Sequence, residues 1–484
     1  MRIGEMLAAA GLVTPAAVEV ALAHQREHGG RLGDSLVATG AISPSGLSRF
    51  MDGIPREPLS IADTKIEEKS LLELLLKTMA STPADTIAAL SSALKLAPKI
   101  IADLIDLGVR GQLIGMLGGL TVMRHELTEA GKRRAAEAMS RSSYVGPAPV
   151  SLETYIHWID RQKVTNETID PASMRAAFAG LQVPEAFVSQ IGPAARGGRA
   201  ILMYGPPGNG KTSVAQRLER VFRQVIYIPH AVSIDGQIMQ LFDPDVHKPV
   251  EVTNSGSASA LMRDEPDARF VACRRPFIIT GGELTLEMLD LKHEPNANFY
   301  TAPLHVKAAG GCMLIDDFGR QIVSPTALLN RWIVPLENHV DYLKLHTGKS
   351  VRIPFEAIVI FSTILSPSDL MDPAFLRRIP YKLEVAAPPR ATWVTLFEGV
   401  AKTLGFPDAP PPTDIRSVAH PLTEAHRPPL APYQPRILLE QLVTACQFED
   451  RPLALHADLL DHAIGNLTVG NSGSGGSTGT MASV

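Results

Sequence analysis

A glycine-rich segment in the middle of the chain carries the residue types that bind phosphate groups: Gly205, Pro206, Pro207, Gly208, Asn209, Gly210, Lys211, Thr212 and Ser213. It has the form G-x-x-x-x-G-K-[ST], in which glycines allow successive backbone N–H groups to face an anionic phosphate chain. In such a loop Lys211 reaches the β- and γ-phosphates, and the Thr212 hydroxyl binds Mg²⁺. An apolar run at 200–204 precedes the segment and a helical apolar pattern at 213–222 follows it, as this kind of site requires. The segment therefore predicts that ATP and Mg²⁺ are cofactors.

Two adjacent carboxylates, Asp316 and Asp317, end the apolar run 312–315 further along the chain. We expect Asp316 to hold Mg²⁺ together with Thr212, and Asp317 to polarise the attacking water. Neither motif is decisive alone. A phosphate loop followed by an acid-tipped buried strand is nevertheless typical of nucleotide-binding α/β domains, so the pair predicts an ATPase.

Two arginine-bearing segments resemble those of the AAA+ ATPases. Segment 373–379 contains Arg377 and Arg378 and resembles the arginine-finger segment, in which an arginine reaches the γ-phosphate held by the neighbouring subunit. Segment 435–439 resembles the sensor-2 helix, whose arginine, here Arg436, contacts phosphate from a helical lid. Because an arginine finger has no partner inside its own subunit, the resemblance implies a homo-oligomeric ring, most often a hexamer.

The sequence departs from the AAA+ pattern at two positions. The second carboxylate of the acidic pair is usually Glu, and Asp317 is one methylene shorter. An asparagine is expected at the end of the apolar run 357–364, where Ile364 stands and cannot form a hydrogen bond. Thr363 is the candidate to replace it as a catalytic residue. These departures predict slow hydrolysis, or binding with little turnover.

Other residues near the two motifs are weaker candidates for the site. Tyr155, Ile191 and Gly192 belong to a helical prologue that is expected to cover the nucleotide base. Glu283 and Tyr300 precede the acidic pair and are candidates for a pore loop or a nucleotide switch.

The first 51 residues contain a repeat with an offset of 29 residues, which carries Arg2 onto Arg31 and Gly11 onto Gly40. This pair of motifs, with the spacer 26–30, resembles the N-terminal domain of the type II secretion and type IV pilus assembly ATPases. Some members of that family bind cyclic di-GMP there. The resemblance implies a cyclic di-GMP site formed by Arg2, Gly4, Leu7, Gly11, Leu22, Gln25, Arg31, Leu32, Gly33, Leu36, Gly40 and Met51. Arginine suits guanine stacking and phosphate pairing, but the leucines are also explained by packing alone.

Residues 66–142 predict a compact helical module that resembles a winged helix. Helical patterns are followed by a hairpin marked by Gly115, Gly118 and Gly119, and then by another helix. Winged helices often bind DNA, but the candidate recognition helix 99–107 has two acids and one lysine. Because a helix that reads a DNA groove needs cations and amides, the charges favour a protein contact over DNA.

Composition excludes several other classes of protein. The chain has 484 residues, of which 45% are hydrophobic and 20% charged, and its net charge of -4 gives no general attraction to nucleic acid or anionic lipid. Its three cysteines form no metal or disulfide pattern, and it has neither a signal peptide nor an apolar run that could span a membrane, so we expect a cytoplasmic protein without membrane insertion. The predicted fold is multidomain α/β, a P-loop core with a helical lid. Its expected units are 1–60, 66–142, the prologue 143–190, the core 191–390, the lid 391–469 and a disordered tail 470–484.

These features together predict a cyclic di-GMP-responsive AAA+ ATPase that remodels or regulates a protein client. By resemblance, such a client would belong to secretion, pilus or exopolysaccharide systems. Two alternatives stay open: a nucleotide-gated regulatory scaffold with little hydrolysis, and a DNA-acting transcriptional activator.

Overall fold

The computed structural model describes residues 4, 7–8, 11–117, 123–181, 183–250, 266–370, 373–406 and 430–468. Several predicted features lie outside them: Arg2, Gly118, Gly119 and the tail 470–484.

A parallel sheet of five strands positions the predicted nucleotide site. In chain order the strands are β1 (Ile201–Tyr204), β2 (Phe277–Thr280), β3 (Cys312–Ile315), β4 (Ile358–Thr363) and β5 (Tyr381–Glu384). Their order across the sheet is β5, β1, β4, β3, β2, and each neighbouring pair is parallel. The prediction of an α/β fold is confirmed, and the structure adds that this sheet is parallel. The phosphate-loop strand β1 and the acid-tipped strand β3 both lie beside β4.

Strand β4 is buried on both faces, which explains the continuous apolar sequence of its first four residues. Ile358 and Ile360 belong to the core on one face, while Val359 and Phe361 belong to the core on the other. The first core is covered by helices that include Pro171–Phe178, Glu185–Arg196 and Lys211–Arg217. The second is covered by helices that include Pro325–Arg331, Ile333–Asn338 and Pro373–Leu376.

A second, mixed sheet forms a separate core beside the first. In sheet order its strands are Lys292–Glu294, Phe299–Thr301, Gln237–Gln240, Ala231–Ile234 and Val150–Ser151. Helix Leu152–Arg161 and two antiparallel pairs pack in the same region, and the pairs are Val225–Pro229 with Phe270–Arg274 and Val340–Lys344 with Ser350–Pro354. Tyr155 is fully buried in the core of this mixed sheet, whereas Ile191 is fully buried in a core beside the central parallel sheet. The two side chains that we expected near one base therefore pack in different cores.

Residues 66–142 follow the predicted order of helices, hairpin and helix. The helices are Glu68–Ser81, Ile87–Leu94, Pro98–Arg110 and Glu129–Arg141, and the hairpin pairs Ile114–Leu117 with Arg124–Leu127. Leucines and isoleucines of the first three helices form the core of this module, which also contacts Ala231 of the second sheet. The module is thus joined to the rest of the chain through an apolar contact.

The N-terminal repeat folds into three described helices, Pro15–His28, Leu32–Ala38 and Pro44–Met51. The first and third begin in the same way, because Thr14 and Ser43 each cap a helix whose first residue is proline. Both caps occupy equivalent positions of the repeat, so the repeat in sequence is also a repeat in structure.

The C-terminal region forms a separate helical group. Its described helices are Arg390–Thr403, Gln434–Phe448 and Ala457–Thr468, and they share one apolar core. The Trp393 indole donates hydrogen bonds to the Ala431 carbonyl (3.2 Å) and the Gln434 side chain (3.1 Å). These bonds fix the start of helix Gln434–Phe448 against helix Arg390–Thr403.

Short helical turns complete the described elements: Ala62–Thr64, Val164–Asn166, Leu218–Arg220, Glu287–Leu289, Leu304–Lys307 and Pro367–Leu370. None of the described helices has the length and apolarity that crossing a membrane requires.

Candidate nucleotide-binding site

The glycine-rich loop lies between the carboxyl end of β1 and the helix Lys211–Arg217. Gly205, Gly208 and Gly210 have φ values of 144°, 77° and 80°, which residues with a Cβ rarely adopt. Space is also limited, because a Cβ at Gly205 would lie 2.5 Å from the Val385 carbonyl oxygen. The Asn209 side chain donates a hydrogen bond to that same carbonyl (2.9 Å). The loop is therefore held against the residue that follows β5.

The Lys211 side chain turns back along the loop. Its ammonium group donates hydrogen bonds to the carbonyl oxygens of Gly205 (2.9 Å) and Pro206 (3.0 Å). Burial lowers the pKa of Lys211, and the nearby carboxylates of Asp317 and Asp316 act in the opposite direction. The cation of the loop and the acidic pair thus lie within electrostatic range of each other.

Thr212 and Asp316 join the two predicted motifs directly. The Thr212 hydroxyl donates a hydrogen bond of 2.7 Å to Oδ2 of Asp316. The Asp316 amide bonds to the Thr280 carbonyl at the end of β2 (2.7 Å), and the Gln321 side chain donates to the Asp316 carbonyl (2.8 Å). A hydroxyl and a carboxylate are oxygen ligands of the kind that Mg²⁺ prefers, so this donor set fits the predicted ion.

Asp317 is exposed directly beside this contact. Its φ of 48° lies in the left-handed region, which aspartate tolerates better than most residues. The Asp317 amide donates to Oδ1 of Asp316 (3.1 Å), and its carbonyl accepts from the Arg320 amide (3.0 Å). The turn places a solvent-accessible carboxylate next to the residue predicted to bind Mg²⁺.

The Thr363 hydroxyl forms its hydrogen bonds on the face of the sheet opposite to the helix that follows the glycine-rich loop. It donates to the Phe318 carbonyl (2.7 Å) and accepts from the Leu365 amide (3.2 Å), and the residue is fully buried. These bonds shape the turns that follow β3 and β4. Ile364 is half-buried and offers no polar atom on its side chain. The Thr363 hydroxyl, which is predicted to replace the missing asparagine, is therefore already engaged in two hydrogen bonds.

Arg377 and Arg378 lie just before β5, at its amino end. The glycine-rich loop follows the carboxyl end of β1, which is the parallel neighbour of β5. The two arginines and the loop therefore lie at opposite ends of these two neighbouring strands. Arg378 forms an ion pair with Glu337 (2.7 Å) and lies over the ring of Phe375, whereas Arg377 is exposed.

The resemblance to a sensor-2 helix predicts that the C-terminal helices approach the nucleotide through Arg436, but it does not single out Tyr433. A Cβ at Gly208 would lie 2.2 Å from the ring of Tyr433, so this ring rests on the loop backbone. Arg436 lies one turn along the helix that begins beside Tyr433, and it forms an exposed ion pair with Glu440 (2.7 Å). The structure thus places the predicted sensor arginine near the loop but paired on the surface of its own helix.

Two further candidates have different environments. The Glu283 carboxylate accepts hydrogen bonds from the Thr280 hydroxyl (3.0 Å) and the Gly281 amide (2.8 Å) at the end of β2. Tyr300 is 1% exposed, and its hydroxyl accepts from the His346 amide (3.0 Å). Tyr300 is therefore buried in the strand Phe299–Thr301 and not in a pore loop, while its role as a nucleotide switch stays a prediction. Glu283 lies on the surface near the acidic pair.

Helix packing explains several motif residues of the N-terminal repeat. A Cβ at Gly4 would lie 2.6 Å from Val18, and a Cβ at the equivalent Gly33 would lie 3.0 Å from the equivalent Leu47. The three motif leucines of the core are buried: Leu7, Leu32 and Leu36. Close helix packing therefore accounts for the small residues and the leucines in both copies.

The remaining described residues of the proposed cyclic di-GMP site are turn or surface residues. Gly11 and Gly40 have φ values of 70° and 73°, as their equivalent turns require. Gln25 donates a hydrogen bond to the Gly30 carbonyl across the spacer (2.8 Å), and Arg31 is exposed. Leu22 and Met51 are half-buried.

Two family models match parts of the chain. Residues 184–230, which include the glycine-rich loop, match the family described as magnesium chelatase, subunit ChlI. Residues 389–466 match a domain of unknown function, DUF8689. The match and the geometry of the loop support an AAA+ P-loop ATPase.

The solved structures that match the chain resemble it only distantly. NtrX from Brucella abortus is 17% identical, covers 60% of this chain and gives a TM-score of 0.38. A RuvB variant from Thermotoga maritima is 12% identical over 64% of this chain and 75% of its own, with a TM-score of 0.32. A complex of magnesium chelatase subunits BchI and BchD is 14% identical over 63% of this chain and 95% of that chain, with a TM-score of 0.30. The chain spans 56% of the length of NtrX. Comparison with curated proteins gave no match.

Proposed function

We propose that the chain binds ATP and Mg²⁺ between the glycine-rich loop and Asp316, and hydrolyses the terminal phosphate. The observation that carries this proposal is the 2.7 Å hydrogen bond from the Thr212 hydroxyl to the Asp316 carboxylate. It brings the two candidate ligands of Mg²⁺ together from motifs that are distant in sequence. When bound, Mg²⁺ neutralises charge that develops on the phosphates.

The groups of the chain have separate roles in this reaction. The loop amides and the Lys211 ammonium hold the phosphates, for which Lys211 exchanges its bonds to the Gly205 and Pro206 carbonyls for phosphate oxygens. Asp317 orients the attacking water and accepts its proton, since its carboxylate is exposed next to Asp316.

A ring of identical subunits completes the site in this proposal. Arg377 is exposed near the amino end of β5, whereas its own loop follows the carboxyl end of the neighbouring strand β1. Its guanidinium therefore suits the phosphate of a neighbouring subunit better than that of its own. Arg436 reaches the same phosphates from the helical lid when it leaves Glu440. The ring in this proposal is a hexamer, and it acts on a protein client. Its proposed location is the cytoplasm, because three buried free cysteines suit a reducing compartment.

Phosphate release by the purified chain tests the enzymatic claim. We expect Mg²⁺-dependent ATP hydrolysis by the wild type, and the rate to fall to background in Lys211→Ala. Equal rates of ATP hydrolysis in the wild type and in Lys211→Ala would contradict the proposal. Sedimentation with and without ATP tests separately whether the chain forms a ring.

The finer part of the proposal is that the N-terminal pair binds cyclic di-GMP and controls the ATPase. Its support is the exposed Arg31 beside a spacer that Gln25 holds through Gly30. Calorimetric titration of the full chain with cyclic di-GMP should give heat for the wild type and for Arg133→Ala, an exposed arginine elsewhere, but not for Arg31→Ala. No heat with the wild type would end this part of the proposal and leave the ATPase claim intact.

A second function, a nucleotide-gated scaffold with little hydrolysis, has one observation in its favour. The Thr363 hydroxyl is occupied by Phe318 and Leu365, and the neighbouring Ile364 is apolar. A wild-type rate no higher than that of Asp317→Ala, together with tight ATP binding, would favour the scaffold over the enzyme.

A further inference from the structure

Ser362 is a polar residue on an otherwise apolar face of β4. Side chains alternate along a strand, so Ser362 shares a face with Ile358 and Ile360 rather than with Thr363. Ile358 and Ile360 pack in the same core as Val214 and Ala215 of the helix that follows the glycine-rich loop. The Ser362 side chain therefore lies on the face of the sheet that carries the nucleotide loop.

The register of the sheet sets Ser362 beside Asp316. Ile315 pairs with Phe361, so the next residues along these parallel strands are Asp316 and Ser362. The Phe318 amide bonds to the Ser362 carbonyl, which keeps the two strands together beyond that pair. Because Ile315 lies in the opposite core, Asp316 faces the same side of the sheet as Ser362.

The hydroxyl of Ser362 has no hydrogen-bond partner among the described residues, and the residue is 1% exposed. A buried hydroxyl without a partner is costly, and such groups are uncommon in folded proteins. Its oxygen is also closed to solvent, so a substrate cannot reach it directly. If the hydroxyl has a role, it acts on a neighbouring side chain.

We propose that Ser362 is a positioning residue that donates a hydrogen bond to the Asp316 carboxylate when Mg²⁺ and ATP bind. The carboxylate already accepts from the Thr212 hydroxyl and the Asp317 amide, and a carboxylate can accept further bonds. Rotation about χ1 gives the serine hydroxyl a choice of three directions. A bond from Ser362 orients Asp316 while the Thr212 oxygen serves the ion, as partners behind metal ligands generally do. This inference rests on the proposed Mg²⁺-ATP site.

The test compares nucleotide binding with and without Mg²⁺, using a fluorescent ATP analogue and the full chain. In Ser362→Ala we expect unchanged affinity in EDTA and a half-saturating Mg²⁺ concentration raised by about 10-fold, the usual cost of losing a group behind a metal ligand. Ser362→Thr keeps a hydroxyl on the strand and should restore the wild-type Mg²⁺ dependence. Ser140→Ala, the same change on the exposed face of helix Glu129–Arg141, should match the wild type.

The alternative outcomes are distinct. If Ser362→Ala has wild-type Mg²⁺ dependence, or if it lowers the melting temperature and weakens nucleotide binding equally in EDTA and in Mg²⁺, Ser362 is a packing residue and the inference is overturned. If Lys211→Ala binds the analogue as tightly as the wild type, the proposed nucleotide site itself fails and the inference fails with it.

Discussion

The Thr212 hydroxyl lies 2.7 Å from the Asp316 carboxylate, which joins the first turn of the loop helix to the end of β3. A substitution of Asp316 can therefore separate the effect of its negative charge from the effect of its hydrogen bond to Thr212. Asp316→Asn keeps the acceptor oxygen for Thr212 but removes the negative charge that attracts Mg²⁺. We expect Mg²⁺-dependent ATP affinity to fall by at least about 10-fold with little change in melting temperature, measured by titration with a fluorescent analogue. Asp461→Asn, an exposed change in the C-terminal helices, is the control. Retained Mg²⁺ dependence in Asp316→Asn would show that the ion is held elsewhere.

The exposed carboxylate of Asp317 predicts a defect in turnover rather than in binding. Asp317→Asn cannot accept a proton, so kcat should fall by about 100-fold or more, while KM for ATP changes little. Asp317→Glu restores the acid and lengthens it by one methylene, and its kcat should equal or exceed that of the wild type. Steady-state phosphate release measures both. A fall in ATP affinity with unchanged kcat in Asp317→Asn would assign Asp317 to ion binding instead.

The contact between Gly208 and Tyr433 predicts that the loop tolerates no side chain at this position. Gly208→Ala forces a Cβ to within 2.2 Å of the Tyr433 ring, at a φ of 77° that alanine rarely adopts. Since the loop or the C-terminal helices must shift, ATP affinity should fall by about 10-fold or more, in line with a lost 1.4 kcal/mol. Adding Tyr433→Ala removes the clash but not the backbone strain, so recovery should be partial. Gly399→Ala, in a helix with open space, should bind as the wild type does. Full binding by Gly208→Ala would mean that the contact does not hold the loop.

Much of the central fold could be predicted because its signals are local. The apolar runs at 201–204 and 312–315 and the loop between strand and helix each have a short sequence signature, and the structure forms strands at both runs. The second mixed sheet could not be predicted, because its strands are only two to four residues long. Two of its pairings also join strands that are distant in sequence: Phe299–Thr301 with Gln237–Gln240, and Val150–Ser151 with Ala231–Ile234. Tyr155 illustrates the difficulty. Its aromatic ring signals burial, but only the pairing of distant strands decides in which core it is buried.

The site shows the same limit at the level of single side chains. Sequence spacing brought Thr212 and Asp316 into one hypothesis, because both motifs have fixed positions relative to their strands. It also selected Thr363 on β4. Side chains alternate along the strand, so the Thr363 hydroxyl points toward Phe318, whereas Ser362 lies on the face of the sheet that carries the glycine-rich loop. The strand register that separates these neighbours is set by hydrogen bonds between strands, which no local pattern contains.

A buried lysine outside the site predicts a specific pH dependence of stability. Burial lowers the pKa of Lys77 from 10.5 to about 8 in the folded chain, where its ammonium donates to the Ser142 carbonyl. Between these values the unfolded chain keeps a proton that the folded chain has released, so the free energy of unfolding rises with pH in this window. Lys77→Met lacks this rise. The stability of the wild type relative to Lys77→Met should therefore increase by about 1 to 2 kcal/mol between pH 7.5 and pH 10, measured by urea unfolding. Lys69→Met on the exposed face of the same helix should show no such trend relative to the wild type, and a flat difference for Lys77→Met would contradict the shift.

The different surroundings of Arg377 and Arg378 predict which of them acts on a neighbouring subunit. Arg378 is held by Glu337 at 2.7 Å and lies over Phe375, so Arg378→Ala should lower the melting temperature. Arg377 is exposed, so Arg377→Ala should leave the melting temperature unchanged and reduce kcat by about 1,000-fold, as the loss of an arginine finger does. Phosphate release and thermal melts distinguish the two variants.

Mixing two inactive variants tests whether Arg377 acts between subunits. Arg377→Ala retains an intact Asp317, and Asp317→Asn retains an intact Arg377. In a mixed ring some sites receive the arginine of one variant and the carboxylate of the other, so activity should reappear at an equal ratio of the two. The same mixture made with Arg377→Ala and a double variant carrying both changes should stay inactive, because no intact arginine is present. If the first mixture also stays inactive while sedimentation shows that mixed oligomers form, Arg377 acts within its own subunit or not at all.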